Sequence, residues 1–359
     1  MNYEFERNRQ QVVIEGKTFS PKDFEGKEPS AFFASEALAG LYAFLHEWFN
    51  EEDFVWVKTS GSTGKPKPFK ADKMRMMQSA GMTCSFLGLY PGNTALLCMK
   101  MDYIAGKMVA VRSLIAGLSL IVVPTSSHPL KEITSRIDFA ALVPLQVYNS
   151  LQNSAEKEKL AAVRHLIIGG GAIDEKMAET LPHFPHGVYS TYGMTETLSH
   201  IALRRLSGES ANEFYTPLEG VKLSLSEEGT LVIDAPHVSP EVLTTTDVAE
   251  LKEDQQFKVV GRKDNVINSG GIKIQAEEVE RLLRPYYGDT FAITSAPDPK
   301  FGQIVVLATT EAVDETVLKA YLPVYYQPKR VIWIEKLPLT ETGKVERGRL
   351  REIAKERCK

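Results

Sequence analysis

The feature that most restricts the fold is an alternation of short β-rich segments with helix-like stretches between about residues 54 and 200. The β-rich segments read FVWVK, TALLCM, LSLIVVP, ALVPL and RHLIIGG. Strands that alternate with helices indicate a sheet covered by helices, so we expect an α/β body. Ahead of it, residues 31–50 (AFFASEALAGLYAFLHEWFN) space their large apolar residues three and four apart, which predicts an amphipathic helix.

From about residue 219 the pattern changes to short strands and turns, as in EEGTLVIDAP and QQFKVVGRKDN. This change predicts a small β-subdomain. Farther on, QAEEVERLLRP predicts a helix with acids in its first turn, apolar residues on one face and Pro285 at its end. The strand-like segments FAITSA and IVVLATT follow, so we expect the C-terminal part to be α+β.

The length of the chain indicates more than one domain. Its 359 residues, of which 43% are hydrophobic, can bury more than one core. We predict a large, multi-layer catalytic body over residues 1–261, a tight hinge at 262–265 and a small, mobile C-terminal domain over 266–359.

Charge and composition exclude several classes of protein. The net charge is −4, and acidic and basic residues are interspersed, which argues against a nucleic-acid-binding protein. The charged start MNYEFERNRQ and the absence of a run of about 18 apolar residues predict a cytoplasmic protein without a membrane span. Cys84, Cys98 and Cys358 lie far apart, so we expect neither a disulfide nor a zinc site. Cys84 and Cys98 are expected to be small core residues.

The loop TSGSTGKPK follows the β-rich segment FVWVK and carries the strongest chemical signal. Hydroxyls, glycines and lysines in one turn suit a polyphosphate, although a polar surface loop is the alternative. A Walker A loop needs four residues between its first glycine and the Gly-Lys pair. Only two residues separate Gly61 from Gly64 here, and Pro66 follows Lys65. We therefore expect a phosphate loop of another type.

From this loop onward the chain resembles the adenylate-forming superfamily of acyl-CoA synthetases, peptide-synthetase adenylation domains and luciferases. Further matching motifs follow in the same order along the chain: Gly169-Gly170-Gly171-Ala172, Tyr192-Gly193-Met194-Thr195-Glu196-Thr197, Asp247, Gly261-Arg262-Lys263-Asp264, Ser269-Gly270-Gly271 and Pro338-Leu339-Thr340-Glu341-Thr342-Gly343-Lys344. The ordered matches, spread from residue 59 to 349, are not expected by chance.

The resemblance implies an enzyme that uses ATP and Mg²⁺ to activate a carboxylic acid as acyl-AMP and then transfers the acyl group to coenzyme A. It assigns ATP or AMP contacts to Thr59, Ser60, Gly61, Ser62, Thr63, Gly64, Lys67, Gly169, Gly170, Gly171, Ala172, Tyr192, Gly193, Asp247 and Arg262. A glycine run lets the backbone approach a flat purine, and a tyrosine ring can stack on it. The usual Thr-Gly-Asp reads Thr245-Thr246-Asp247 here, which puts the local backbone shape in question.

The resemblance also assigns the catalytic groups. Glu196 is the expected magnesium ligand, and Thr195 is expected to donate a hydrogen bond to a phosphate. Lys344 is expected to stabilise the negative charge of the adenylation transition state. Asp264 matches the hinge, and the loop of Ser269, Gly270 and Gly271 matches the segment beside the coenzyme A tunnel.

Within the superfamily, residues 192–200 and the compact length resemble the o-succinylbenzoate-CoA ligases of menaquinone biosynthesis. The substrate would then be an aromatic acid with a second carboxylate, which needs apolar walls and at least one cation or several donors. The candidates are Tyr103 and Lys107, with Met101, Asp102 and Gly106 nearby, and Ser199 and His200. A solvated lysine and a structural histidine are the alternative interpretations of Lys107 and His200.

Only 58 residues precede the phosphate loop, fewer than in most relatives, which implies a reduced N-terminal subdomain. The acyl pocket would then be partly open or completed by a partner subunit, as in a homodimer. Two alternatives stay open: adenylation of another acid or transfer to a carrier protein, and a non-catalytic homologue that only binds adenylates. Retention of both Glu196 and Lys344 argues against the non-catalytic alternative.

Overall fold

The computed structural model of this chain describes residues 3–25, 35–58, 68–171, 173, 175–339 and 345–358. It contains two compact units. The first consists of Met1–Lys222 and Asp234–Leu243, and the second of Leu223–Ile233 and Thr244–Lys359. The predicted body over residues 1–261, hinge at 262–265 and mobile domain over 266–359 stay a prediction.

The first unit is the predicted α/β body. In chain order its elements are β1 (Val12–Ile14), β2 (Lys17–Phe19), α1 (Glu36–Phe49), β3 (Phe54–Lys58), β4 (Pro68–Asp72), α2 (Lys73–Leu87), β5 (Thr94–Leu97), α3 (Ile104–Ala116), β6 (Ser119–Val122), β7 (Phe139–Leu142), α4 (Pro144–Gln152), α5 (Ser154–Ala161), β8 (His165–Ile168), α6 (Glu175–Thr180), β9 (Gly187–Gly193), β10 (His200–Arg205) and β11 (Thr216–Pro217). Helix α1 confirms the predicted amphipathic helix, because Leu41, Leu45 and Trp48 on one face are buried.

The described strands of this unit form a sheet of order β11-β10-β9-β8-β7-β5-β6-β1-β2, and β3 pairs with β4 separately. Strands β9, β8, β7, β5, β6 and β1 are parallel, whereas β2, β10 and β11 are antiparallel to their neighbours. A parallel sheet is covered on both faces, which explains why Phe139–Leu142 is buried at every position. Cys84 and Cys98 are fully buried, as predicted.

The second unit contains the predicted β-subdomain and the α+β region. Its elements are β12 (Lys222–Leu225), β13 (Thr230–Asp234), β14 (Leu243–Leu251), β15 (Phe257–Arg262), β16 (Val266–Ser269), β17 (Ile272–Gln275), α7 (Ala276–Tyr287), β18 (Phe291–Asp298), β19 (Gly302–Thr309), α8 (Glu315–Tyr321), β20 (Arg330–Trp333) and α9 (Arg347–Arg357). Strands β12 to β15 form one sheet in chain order, and β16 to β20 form another. The expected fold class is thereby confirmed.

The prediction that Pro285 ends its helix was wrong. Helix α7 includes Pro285 and continues to Tyr287. In the last turn, the missing N–H of proline removes a single helical hydrogen bond. The helix instead ends at Gly288, whose φ of 53° lies in the left-handed region and whose N–H donates to the Arg284 carbonyl.

Among the helices that the structure describes, none has both the length and the apolar composition needed to cross a bilayer.

Candidate active site

Two of the matching motifs lie at the carboxyl ends of neighbouring parallel strands. Gly169 to Gly171 follow β8, and Tyr192 and Gly193 end β9. Strands β8 and β9 pair in parallel, so both segments reach the same edge of the sheet. Ligands of open parallel sheets bind at this edge, beyond the carboxyl ends of the strands. The fold therefore brings together the residues expected to contact the purine.

The glycines at this edge are required by close packing. A Cβ atom on Gly169 would lie 2.6 Å from Thr191 Oγ1, and one on Gly193 would lie 2.4 Å from the Ser199 carbonyl oxygen. Gly170 has a φ of +83°, which side chains rarely tolerate. A larger residue at any of these positions would push the segment out of place.

The turn that follows β9 presents the expected metal ligand. Residues Thr195–Thr197 form a short 3-10 helix, and Thr197 is buried with its hydroxyl hydrogen-bonded to the Met194 N–H at 3.0 Å. Leu198 then takes a φ of 62°, an uncommon value for a residue with a side chain. Glu196 is exposed, and within the described residues no ion pair engages its carboxylate. An exposed carboxylate of this kind suits Mg²⁺, which binds one or two protein carboxylates together with phosphates.

The two residues expected at the ribose lie side by side in the second unit. Asp247 on β14 pairs directly with Arg262 on β15, although fifteen positions separate them in the sequence. Arg262 Nη2 donates to Thr246 Oγ1 at 2.6 Å. The threonine that replaces the usual glycine therefore helps to hold Arg262 in place, a role that the sequence alone did not indicate.

The predicted hinge and coenzyme A segments also lie in the second unit. Asp264 is exposed and 3.8 Å from Arg262 Nη2. Ser269 ends β16, and the turn to β17 uses Gly270 and Gly271 at φ values of +59° and +84°. Two consecutive positive φ values are typical of the turns that favour glycine. The contact of this loop with coenzyme A stays a prediction.

Lys107 was expected as a partner for the second carboxylate of the substrate, and its ammonium group has protein partners. Its side chain is buried, and Nζ lies 2.7 Å from the Trp56 carbonyl and 3.2 Å from Glu47 Oε2. Burial lowers the pKa of Lys107, and the nearby Glu47 carboxylate partly opposes this effect. Tyr103 precedes α3, and its carbonyl accepts from the Lys107 N–H. Contacts of these two residues with substrate stay a prediction.

Ser199 and His200, in contrast, belong to a buried polar cluster around Arg112, which the sequence reasoning missed. Arg112 on α3 is 2% exposed. Its Nη2 atom lies 2.9 Å from Ser199 Oγ and 3.4 Å from Thr83 Oγ1. Thr83 on α2 lies 2.9 Å from His200 Nε2 and donates to the carbonyl of Ser79. We call Ser79, Thr83, Arg112, Ser199 and His200 the arginine cluster.

The hydrogen bonds of the arginine cluster form one consistent chain. Because the Thr83 hydroxyl donates to the Ser79 carbonyl, we infer that Thr83 accepts from His200 Nε2. His200 Nδ1 is then free to accept from Ser199 Oγ, 3.4 Å away. Burial, reinforced by the charge of Arg112, holds the pKa of His200 well below its usual range. His200 is therefore neutral near pH 7.

Arg112 is the only cation of the arginine cluster. Burial lowers its pKa to about 10, which still leaves it charged near pH 7. Among the described residues, no carboxylate forms an ion pair with it, and its Nε atom is buried without a hydrogen-bond partner. A buried charge without a counter-ion is costly in free energy. The available signal was a lone arginine in the apolar helical stretch VAVRSLIAG.

Several predicted site residues lie outside the described residues: Thr59, Ser60, Gly61, Ser62, Thr63, Gly64, Lys67, Ala172 and Lys344.

The sequence match that decides the family covers most of the first unit. Residues 6–244 match the family model described as AMP-binding enzyme. The chain belongs to this family. A curated relative, 2-succinylbenzoate-CoA ligase of Bacillus cereus, is 26% identical over 93% of this chain and 78% of its own length. Together these matches confirm the expected superfamily and identify an AMP-forming acid-CoA ligase.

Solved structures agree in fold. An AMP-forming acyl-CoA synthetase-like protein of Dyadobacter fermentans is 31% identical, with a TM-score of 0.65, over 90% of this chain and 95% of that one. That protein therefore matches this chain in compact length. The o-succinylbenzoate-CoA synthetase of Bacillus subtilis, solved with ATP and a magnesium ion, is 21% identical with a TM-score of 0.66, over 82% of this chain and 69% of that one. At that identity the likeness supports the fold alone.

Proposed function

We propose that this AMP-binding family member uses ATP and Mg²⁺ to join an aromatic dicarboxylic acid of the o-succinylbenzoate type to coenzyme A. The observation that supports this substrate class is the buried Arg112 guanidinium without a carboxylate partner among the described residues. An anion brought by the substrate would supply the missing charge. The relative from Bacillus cereus, a 2-succinylbenzoate-CoA ligase, agrees with such a substrate.

Ser199 would connect the buried Arg112 guanidinium to the substrate site beside Glu196. It is only partly buried, and its hydroxyl is bound to the Arg112 guanidinium at 2.9 Å. It also follows Glu196 by three positions, which limits their Cα separation to about 10 Å. One carboxylate of the substrate would react beside the magnesium ligand while the other would bind at Ser199 and Arg112. A neutral His200 would neither repel nor neutralise that carboxylate.

The proposed chemistry has two halves. In the first, a substrate carboxylate oxygen attacks the α-phosphorus of ATP, the bond to the β-phosphate breaks, and pyrophosphate leaves. Glu196 would hold Mg²⁺, which offsets phosphate charge, while Thr195 donates to a phosphate and Lys344 stabilises the developing negative charge. In the second half, the thiol of coenzyme A loses its proton and attacks the acyl carbon, and AMP leaves. The loop of Ser269, Gly270 and Gly271 is the proposed contact for coenzyme A.

Arg112→Met tests this substrate class. Pyrophosphate release from Mg-ATP is measured for o-succinylbenzoate and for two acids that each lack one of its carboxylates, 4-oxo-4-phenylbutanoate and 2-butanoylbenzoate. A charged hydrogen bond contributes about 1.5–3 kcal/mol, so kcat/KM for the diacid should fall by about 10- to 150-fold. The monoacid that still reacts should be nearly unaffected, because it lacks the group that Arg112 binds.

Ser199→Ala provides a second variant in case Arg112→Met fails to fold, and it should show the same selective loss. Equal losses for diacid and monoacid would overturn the assignment of the arginine cluster. Thioester formation, followed by mass with free coenzyme A and with a phosphopantetheinyl carrier protein, identifies the acceptor. No pyrophosphate with any acid, despite ATP binding, would refute the ligase itself. A homodimer stays a prediction.

A further inference from the structure

On one face of strands β9 and β10, aromatic side chains and an arginine lie together beside the expected purine contact. Ser190 and Tyr192 are two residues apart on β9, so their side chains lie on the same face of the sheet. Arg204 on β10 pairs directly with Ser190 and therefore shares that face. These three positions surround the side chain of Tyr215.

Tyr215 contacts all three of them. Its hydroxyl lies 3.0 Å from Ser190 Oγ, and its ring centroid lies 5.8 Å from that of Tyr192, with 58° between the planes. The Arg204 guanidinium carbon lies 5.2 Å from the centre of the Tyr215 ring. Thr216, the next residue, pairs with Leu203, so the backbone of Tyr215 is anchored at the sheet edge. The Tyr215 ring is thus held at its hydroxyl, on its π system and through its backbone.

We propose that Tyr215 is a positioning residue that holds the Tyr192 ring in the orientation needed to stack on the purine of ATP. This inference rests on the proposed function, in which the protein binds ATP, and on the expected stacking of Tyr192 on the purine. Tyr192 and Tyr215 are both only partly buried. An aromatic pair contributes about 0.5–1.5 kcal/mol beyond the area it buries. Contact with Tyr215 would thereby stabilise one orientation of the Tyr192 ring before ATP binds.

Arg204 has a supporting role on the same face. Its guanidinium lies over the Tyr215 ring, and its Nε atom is buried without a hydrogen-bond partner among the described residues. Arg205, the next residue, lies over Tyr189 on the opposite face of the sheet, at 5.7 Å. Arg205 therefore provides a control with the same chemistry, on the face away from Tyr192.

The test compares ATP affinity across single variants of the full chain. Replacing Tyr215 by leucine keeps apolar bulk but removes the ring, and we expect KM and Kd for ATP to rise by about 2- to 10-fold, from 0.5–1.5 kcal/mol. At saturating ATP, kcat and the KM for the acid should be unchanged. Tyr215→Phe, which keeps the ring, should retain most of the affinity. Arg204→Gln should weaken ATP binding more than Arg205→Gln.

Tyr192→Ala and the double variant Tyr192→Ala/Tyr215→Leu separate the two ideas. If Tyr215 acts through Tyr192, the double variant should bind ATP as Tyr192→Ala does. Unchanged ATP affinity in Tyr192→Ala would overturn the expected contact of Tyr192 with the purine. Weaker binding in Tyr192→Ala with normal binding in Tyr215→Leu would overturn only the present inference, as would additive losses in the double variant.

Discussion

The ion pair between Glu280 and Arg347 should be a major source of stability in the second unit. Arg347 Nη1 and Nη2 each lie 2.7 Å from a carboxylate oxygen of Glu280. Nη1 also donates to the Ile293 carbonyl at 2.9 Å, and the Ile293 N–H donates to Glu280 Oε1 at 2.7 Å. The pair therefore joins α7, β18 and α9. The Glu280 and Arg347 side chains are 9% and 25% exposed, respectively.

Glu280→Gln should be strongly destabilising, because it leaves the Arg347 charge largely buried without a counter-ion. Breaking a buried pair costs about 3–5 kcal/mol, and the partial exposure of Arg347 places this pair near the lower limit. For a unit of this size, roughly 3 kcal/mol corresponds to a fall of roughly 10 °C in its Tm. Differential scanning calorimetry and urea unfolding followed by circular dichroism measure both quantities.

The double variant Glu280→Leu/Arg347→Met tests the reasoning, because it removes both charges and keeps apolar volume. It should be clearly more stable than Glu280→Gln, since no charge is left uncompensated. Arg349→Gln, on the exposed side of the same helix, should change the free energy of unfolding by less than about 0.5 kcal/mol. A double variant as unstable as Glu280→Gln would refute the electrostatic explanation and indicate packing instead.

Three further predictions concern catalysis and pH. Lys344→Ala should abolish most pyrophosphate release yet leave thioester formation from supplied acyl-AMP intact; equal loss of both halves would contradict its role. Glu196→Gln should raise the Mg²⁺ concentration needed for half-maximal adenylation, and an unchanged requirement would exclude it as a ligand. Burial lowers the pKa of Lys73 from 10.5 to about 8, although Nζ donates to Asn50 Oδ1 at 2.7 Å. Between those two pH values the unfolded chain binds more protons than the folded chain, so the free energy of unfolding should rise with pH. Lys73→Met should lose that rise. The same dependence of unfolding free energy on pH in the variant and the original protein, measured by denaturant titrations, would contradict the assignment.

Motif order and local periodicity were enough to predict the family, the α/β body and the positions that need glycine. The alternation of apolar strands and helices gave the α/β body, because a parallel sheet covered on both faces requires such runs. The glycines at 169–171 and 193 could be interpreted as positions that need glycine, since closely approaching backbone demands it wherever it occurs. Their contact with a purine stays a prediction. These are local properties, and each is encoded in a few consecutive residues.

The arginine cluster depended on the tertiary structure. Thr83, Arg112 and Ser199 come from α2, α3 and the segment before β10, and only the packing of those elements brings them within hydrogen-bond distance. The same holds for Asp247 and Arg262, whose pairing follows from the register of β14 and β15. The protein partners of Lys107, the Glu47 carboxylate and the Trp56 carbonyl, also required the tertiary structure, while its contact with substrate stays a prediction.

The sequence by itself determined the family, the reaction type and the backbone geometry of the glycine segments, because motifs and turn preferences act over short distances along the chain. Only the tertiary structure decided which charges are buried and which are paired with another charge. Desolvation and pairing depend on every element packed around a group, and for Arg112 those elements lie far apart in the sequence.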